Sequence, residues 1–136
     1  MSTRSMIAQA QKDGTIRAVY CHGDGYPEHN GRLLNDYWTD PADVAELIDG
    51  GDMSCLDITL SRCKFYAQAG DEDSAYIMAG EFNSYTDFLT TIGNDIEYVY
   101  VMLRSGKWAM ADVRSGHARP LCDVMAEINR KAMHVV

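Results

Sequence analysis

The stretch "IEYVYVMLRSGKWAMADV", residues 96–113, constrains the fold more than any other. Tyr98, Val99, Tyr100, Val101 and Met102 follow one another with no charged or small polar residue between them. Successive side chains of a strand point to opposite faces, so this strand is apolar on both and reads as a central strand, not an edge. "RSGK" supplies the turn and "WAMADV" the returning strand. A second hairpin is predicted near the start. Residues Ser5–Gln11 and Ile16–His22 flank "KDGT", where Asp13 and Gly14 tolerate the positive φ that tight hairpin turns need. Ile16, Ala18 and Tyr20 form the more buried face of its second strand.

Helical spacing takes over between these hairpins. Leu33, Leu34, Tyr37 and Trp38 make one apolar stripe on a short helix from about Glu28 to Trp38, with Pro27 before it or in its first turn. A second helix follows at once. Asp40 is its N-cap, Pro41 its first residue, and Asp43 sits at the positive end of the helix dipole. Val44, Leu47 and Ile48 face inward, and Gly50 and Gly51 stop it. Ser84 caps a third helix with a Tyr85, Phe88, Leu89 and Ile92 stripe, ended by Gly93. A fourth, from about Pro120 to Ala132, carries Leu121, Val124, Met125, Ile128 and Ala132 inward and Arg130 and Lys131 at its C-terminal end. Between the second and third, "CKFYAQAG" and "SAYIMAGEF" read as strands joined through "GDEDS". The expectation is a single α+β domain over residues 1–136: an antiparallel sheet of roughly four to six strands with three or four helices packed on it.

A chain of 136 residues that is 46% hydrophobic has material for a core without disulfides or metal. No apolar run is long enough to span a bilayer, and "MSTRSMIAQAQKDG" has no signal-peptide segment. A soluble, intracellular protein is expected, with no membrane partner. Cys21, Cys55, Cys63 and Cys122 form no CxxC pair and read as free thiols. Their spacing gives no zinc signature, so no metal or cofactor is expected.

The net charge of −8 is unevenly spread. Between Arg32 and Arg62 there is no Lys or Arg, while Asp36, Asp40, Asp43, Glu46, Asp49, Asp52 and Asp57 fall in that window. Such a region repels phosphate, which disfavours direct nucleic-acid binding. It serves solubility, or it meets a basic partner surface, such as one that normally holds nucleic acid.

"AVYCHGDGYPEHNGRLL", residues 18–34, concentrates the remaining chemistry. Cys21 and His22 are adjacent, a poor geometry for a thiolate–imidazole pair. A Cys/His hydrolase is thus the weakest reading, and no catalytic residue is assigned. His22, Asp24 and His29 include two residues that share a strand face and one that approaches from the helix start, which is a possible divalent-metal trio. The simpler reading has Asp24 accepting backbone N–H bonds in the turn and His22 packed under it. A third reading uses the free N–H groups of the helix start. There His22, Asp24, Tyr26, His29 and Asn30 would hold a small nucleotide-like ligand, with Tyr26 stacking on a base and Asp24 accepting from a ribose hydroxyl.

The runs "STRSMIA", "YCHGDGYP" and "GRLLNDY" resemble a group of small bacteriophage and prophage proteins. Those chains begin "STRS.I", continue through "YCHWDGYP" and then carry a short "G..L…Y" helix. The resemblance extends through Leu56, with a looser echo in "DIEYVYVML…GKW". It departs at Gly23, where the group shows Trp. The group supplies no catalytic residues. It implies a phage accessory protein in the cytoplasm of a bacterial host, of the kind that blunts host defences (anti-CRISPR-like or another counter-defence). Two binding modes follow. One meets a host protein or protein–nucleic-acid complex through the acidic window; the other sequesters a small nucleotide in the His22–His29 loop. Self-association into a homo-oligomer is compatible with either.

Overall fold

The computed structural model describes residues 3–67, 79–92 and 95–133. The first hairpin forms as its turn signal dictates. β1 (Ser5–Ala10) pairs antiparallel with β2 (Ile16–Cys21), with Ile7 opposite Val19 and Gln9 opposite Arg17. The chain then passes through a π-helical turn (Pro27–Gly31) into α1 (Arg32–Tyr37) and α2 (Pro41–Asp49). Asp40 caps α2, its carboxylate accepting from the Ala42 N–H at 2.9 Å. Three short strands follow: β3 (Met53–Cys55), β4 (Lys64–Phe65) and β5 (Gly80–Phe82). α3 (Tyr85–Ile92) is capped by Ser84, whose hydroxyl accepts from the Asp87 N–H at 3.1 Å. The second hairpin is β6 (Tyr98–Met102) with β7 (Trp108–Ala111), and β8 (Ala118–Pro120) leads into α4 (Leu121–Met133).

The fold is α+β, but the sheet corrects the expectation twice. It has eight strands among the described residues, in the order β4-β3-β2-β1-β6-β7-β8, with β5 also on β2. It is also mixed, not antiparallel: β1 runs parallel to β6, and β2 parallel to β3 at Cys21 and Met53. The additional strands are two or three residues long, too short to show a period of two. Strand direction leaves no trace in side-chain alternation. Among the described residues of "CKFYAQAG" Lys64–Phe65 is strand, and among those of "SAYIMAGEF" Gly80–Phe82 is strand. "GDEDS", the remainder of those two segments from residue 68 to 78, and Gly93 lie outside the described residues.

The predicted central strand is central: β6 lies between β1 and β7, with Val99, Tyr100, Val101 and Met102 at most 1% exposed. One face of the sheet presents Ile7, Val19, Cys21, Tyr100 and Met102 to Leu34, Val44, Leu47 and Leu121 from α1, α2 and α4. The other presents Met6, Ala8, Ala18, Val99 and Val101 to Phe88, Leu89 and Ile92 of α3. Both faces of β2 are therefore buried, not chiefly the Ile16, Ala18 and Tyr20 side. Each large side chain so buried contributes about 1.5–3 kcal/mol.

α3 is the described helix on its face, and Phe88 is its fully buried anchor. Phe88→Ala is expected to lower unfolding stability by about 3–5 kcal/mol, read by urea denaturation. A loss under about 1 kcal/mol would show that α3 does not seal this face.

Candidate functional site

The Cys21–Arg32 connection is held to the end of the sheet by close backbone approach. The His22 N–H donates to the Met53 carbonyl at 3.0 Å and the Gly23 N–H to the Ser54 carbonyl at 2.9 Å, prolonging the β2–β3 pairing. The Gly25 N–H donates to the Thr3 carbonyl at 2.8 Å. A Cβ on Gly25 would stand 2.7 Å from both Thr3 O and Ser5 Cβ, so only glycine fits. A Cβ on Gly23 would stand 2.9 Å from Ser54 O. The Trp of the resembled pattern would thus require Ser54 to move. Between them Asp24 is exposed and left-handed, with φ +53°, a conformation that Asp tolerates better than most residues.

Below this bend Asn30 is completely buried. Its amide N–H groups reach Ser5 Oγ at 3.3 Å, the Gly23 carbonyl at 3.3 Å and Cys21 Sγ at 3.4 Å. Its Oδ1 accepts from His29 Nδ1 at 2.8 Å, which puts a proton on Nδ1. The buried Tyr100 hydroxyl donates to the Gly25 carbonyl at 2.6 Å, and its pKa is driven up by burial, helped by Tyr98 and Glu28 nearby. His22 takes the other direction, its Nδ1 2.6 Å from the Tyr20 hydroxyl. Tyr20 belongs to the α3 side of the sheet and Cys21 to the opposite side.

The five loop residues are thus treated differently by the fold. Asn30 has its amide engaged internally. His22 and His29 are half-buried, while Asp24 and Tyr26 are exposed. The Tyr26 and His29 rings lie 6.1 Å apart. Among the described residues no three of His, Cys, Asp or Glu converge to hold a metal ion. Cys21 is buried, and desolvation pushes its thiol up to about 11. It is protonated at neutral pH and unsuited to nucleophilic attack.

The seven acids also part company. Asp49 is bound by Arg17 from β2, and Asp57 lies 3.6 Å from Arg62. Asp52 accepts from the Tyr20 N–H at 2.9 Å, and Asp40 is the α2 cap. Asp36, Asp43 and Glu46 are exposed and make no ion pair among the described residues. Asp36 accepts from the side chain of Asn35.

Asp43 and Glu46 border a cleft of about 200 Å³ with Tyr37, Trp38, Ile58, Thr59 and Leu60. The expected apolar stripe of the first helix does not hold at Tyr37. The helix ends there, Trp38 turns to φ −104° and ψ 61°, and Tyr37 is 56% exposed while Trp38 is 3% exposed. Trp38 is pinned at both ends: its indole N–H donates to the Asp57 carbonyl at 2.9 Å, and its own carbonyl accepts from Trp108 Nε1 at 2.7 Å. No motif marks this cleft in the sequence. The available signal was "YWTDP", an aromatic pair directly before a helix cap.

No protein-family model matches the chain, and no significant match is found among curated proteins or solved structures.

Burial of Cys21 has a pH consequence. The unfolded thiol ionises near 9 and the folded one near 11, so between those values the unfolded state loses a proton that the folded state keeps. Stability is expected to be intact below pH 9 and to fall as pH rises toward 11, with Cys21→Ala flattening this decline in denaturant titrations. An identical slope in the variant would contradict the assignment. In the native protein, thiol reagents at neutral pH should label the exposed Cys55 and Cys122 before Cys21 and Cys63.

Proposed function

We propose that the chain is a phage-type accessory protein that acts by binding, not by catalysis. Its partner is a basic surface on a host protein or protein–nucleic-acid complex, met in the host cytoplasm as part of counter-defence. The observation that carries this reading is that Asp43 and Glu46, exposed and without ion pairs among the described residues, border one cleft with the exposed Tyr37 and Leu60, while Asp36 on α1 is likewise exposed and makes no ion pair among the described residues. Exposed carboxylates steer a cationic partner over long range, and exposed apolar side chains beside them supply area that is removed from water on contact. The resemblance to phage proteins supports the biological setting. No described helix is long and apolar enough to cross a membrane.

The recognition surface is narrower than the acid-only window. Arg17 and Arg62 offset two of its carboxylates, and Asp40 and Asp52 act within the fold. The loop at His22–Asn30 supports nucleotide sequestration less well, because the Asn30 amide already has its partners inside the protein.

Affinity capture from host extract tests the proposal. The triple change Asp36→Asn, Asp43→Asn and Glu46→Gln should reduce recovery of a specifically captured protein by tenfold or so, about 1.4 kcal/mol. Capture by the unaltered protein should fall steeply toward about 1 M salt, where the Debye length is about 3 Å. Capture that survives both treatments unchanged would overturn the acidic-face mechanism.

A further inference from the structure

We propose that the cleft between the α1–α2 corner and the Ile58–Leu60 segment receives one arginine side chain of the partner. This inference rests on the acidic-face reading and specifies the group that the face recognises. Carboxylates alone would not define such a site. Here Asp43 and Glu46 border a concave surface whose other walls are Tyr37, Trp38, Ile58, Leu60 and the polar Thr59, and Tyr37 and Leu60 are two of the large apolar side chains left exposed. Among the described residues no cation lines the cleft, and Arg62 leans toward Asp57.

The size favours a single side chain. Pockets for drug-sized ligands and cofactors hold about 300–1,000 Å³, and this cleft holds about 200 Å³. Its chemistry favours arginine over lysine. A guanidinium is planar, stacks on an aromatic face, and pairs with carboxylates through parallel N–H bonds. An ammonium is more strongly hydrated and loses more on leaving water. Asp43 and Glu46 are three residues apart on α2 and so lie on one side of that helix.

The cleft is also built before any partner arrives. Asp40 and Pro41 set the start of α2, and Trp38 is fixed through both its indole N–H and its carbonyl. The backbone around the cleft is therefore set in advance, and the ordering cost of binding falls on the exposed Asp43, Glu46, Tyr37 and Leu60 side chains.

A capped glycine–arginine–glycine tripeptide, titrated into the full chain and followed by amide and indole NMR signals, tests this. Lysine and citrulline versions serve as controls. The expected result is a saturable shift of the Trp38 indole N–H and the Ile58–Leu60 amides with the arginine peptide, several-fold weaker binding with lysine, and none with citrulline. Tyr37→Ala and, independently, Leu60→Ser should each weaken the arginine peptide several-fold, while Tyr37→Phe retains it. Both altered positions are solvent-exposed, and unchanged dispersion elsewhere in the spectrum reports an intact fold. Equal binding of arginine and lysine, or full binding by Tyr37→Ala and Leu60→Ser, would overturn the arginine site yet leave the acidic face standing if Asp43→Asn with Glu46→Gln still abolishes binding. Shifts located elsewhere on the protein, or none with any peptide, would overturn it outright. The capture experiment then decides the acidic face separately.

Discussion

Two-sided burial of β1, β2 and β6 is the constraint from which the rest follows. Their side chains are covered on one face by α1, α2 and α4 and on the other by α3. A polar group placed inside such a sandwich must find a partner there, because an unmatched one costs about 1–3 kcal/mol. Ser5, Gln9 and Asn30 are the buried polar side chains among the described residues. Each is matched: Asn30 reaches Ser5, and Gln9 donates to the Pro41 carbonyl at 3.0 Å. These bonds are also structural instructions. The first fastens the Cys21–Arg32 connection onto β1, and the second sets where α2 begins over the same strand. Among the described residues no buried side-chain nitrogen or oxygen is left without a hydrogen-bond partner.

That arrangement divides the surface. At the β2 end the chain bends so tightly that Gly23 and Gly25 lie against neighbouring backbone, and the polar groups below them serve the fold. Beyond the α1–α2 corner the demand is different. Once Val44, Leu47 and Ile48 face the core, the outer side of α2 carries Asp43 and Glu46. Trp38 enters the core, its preceding neighbour Tyr37 is left outside, and the cleft forms where they part. The polarity of the outer α2 surface is thus a by-product of how α2 is anchored.

The sequence was most legible where one local signal decided the outcome. Asp13–Gly14 closes the first hairpin, Asp40 and Ser84 cap their helices, and the unbroken apolar run at Tyr98–Met102 marks the central strand. It was least legible where the outcome depends on partners distant in the chain. The parallel pairing of β1 with β6 joins residues about ninety positions apart, as in Ser5 and Tyr98. Arg17 reaches Asp49, 32 positions along the chain, so a window that looked free of cations is not so in space. Tyr37 fits a helical stripe by spacing alone, and it leaves the stripe because the helix stops at that residue. Asn30 reads as a polar loop residue, and its burial becomes visible only once Ser5, Cys21 and Gly23 surround it.

The central claim is that the Gly23–Asn30 bend belongs to the sheet, which is why the proposed recognition is assigned to the α1–α2 surface. Native-state hydrogen exchange of individual amides tests it most directly. The Gly23 and Gly25 N–H groups, bonded to Ser54 and Thr3, should exchange about as slowly as those of β1 and β2, while the exposed Asp24 amide exchanges quickly. Fast exchange at both glycines, with β1 still protected, would mean that the bend opens freely and would contradict the account.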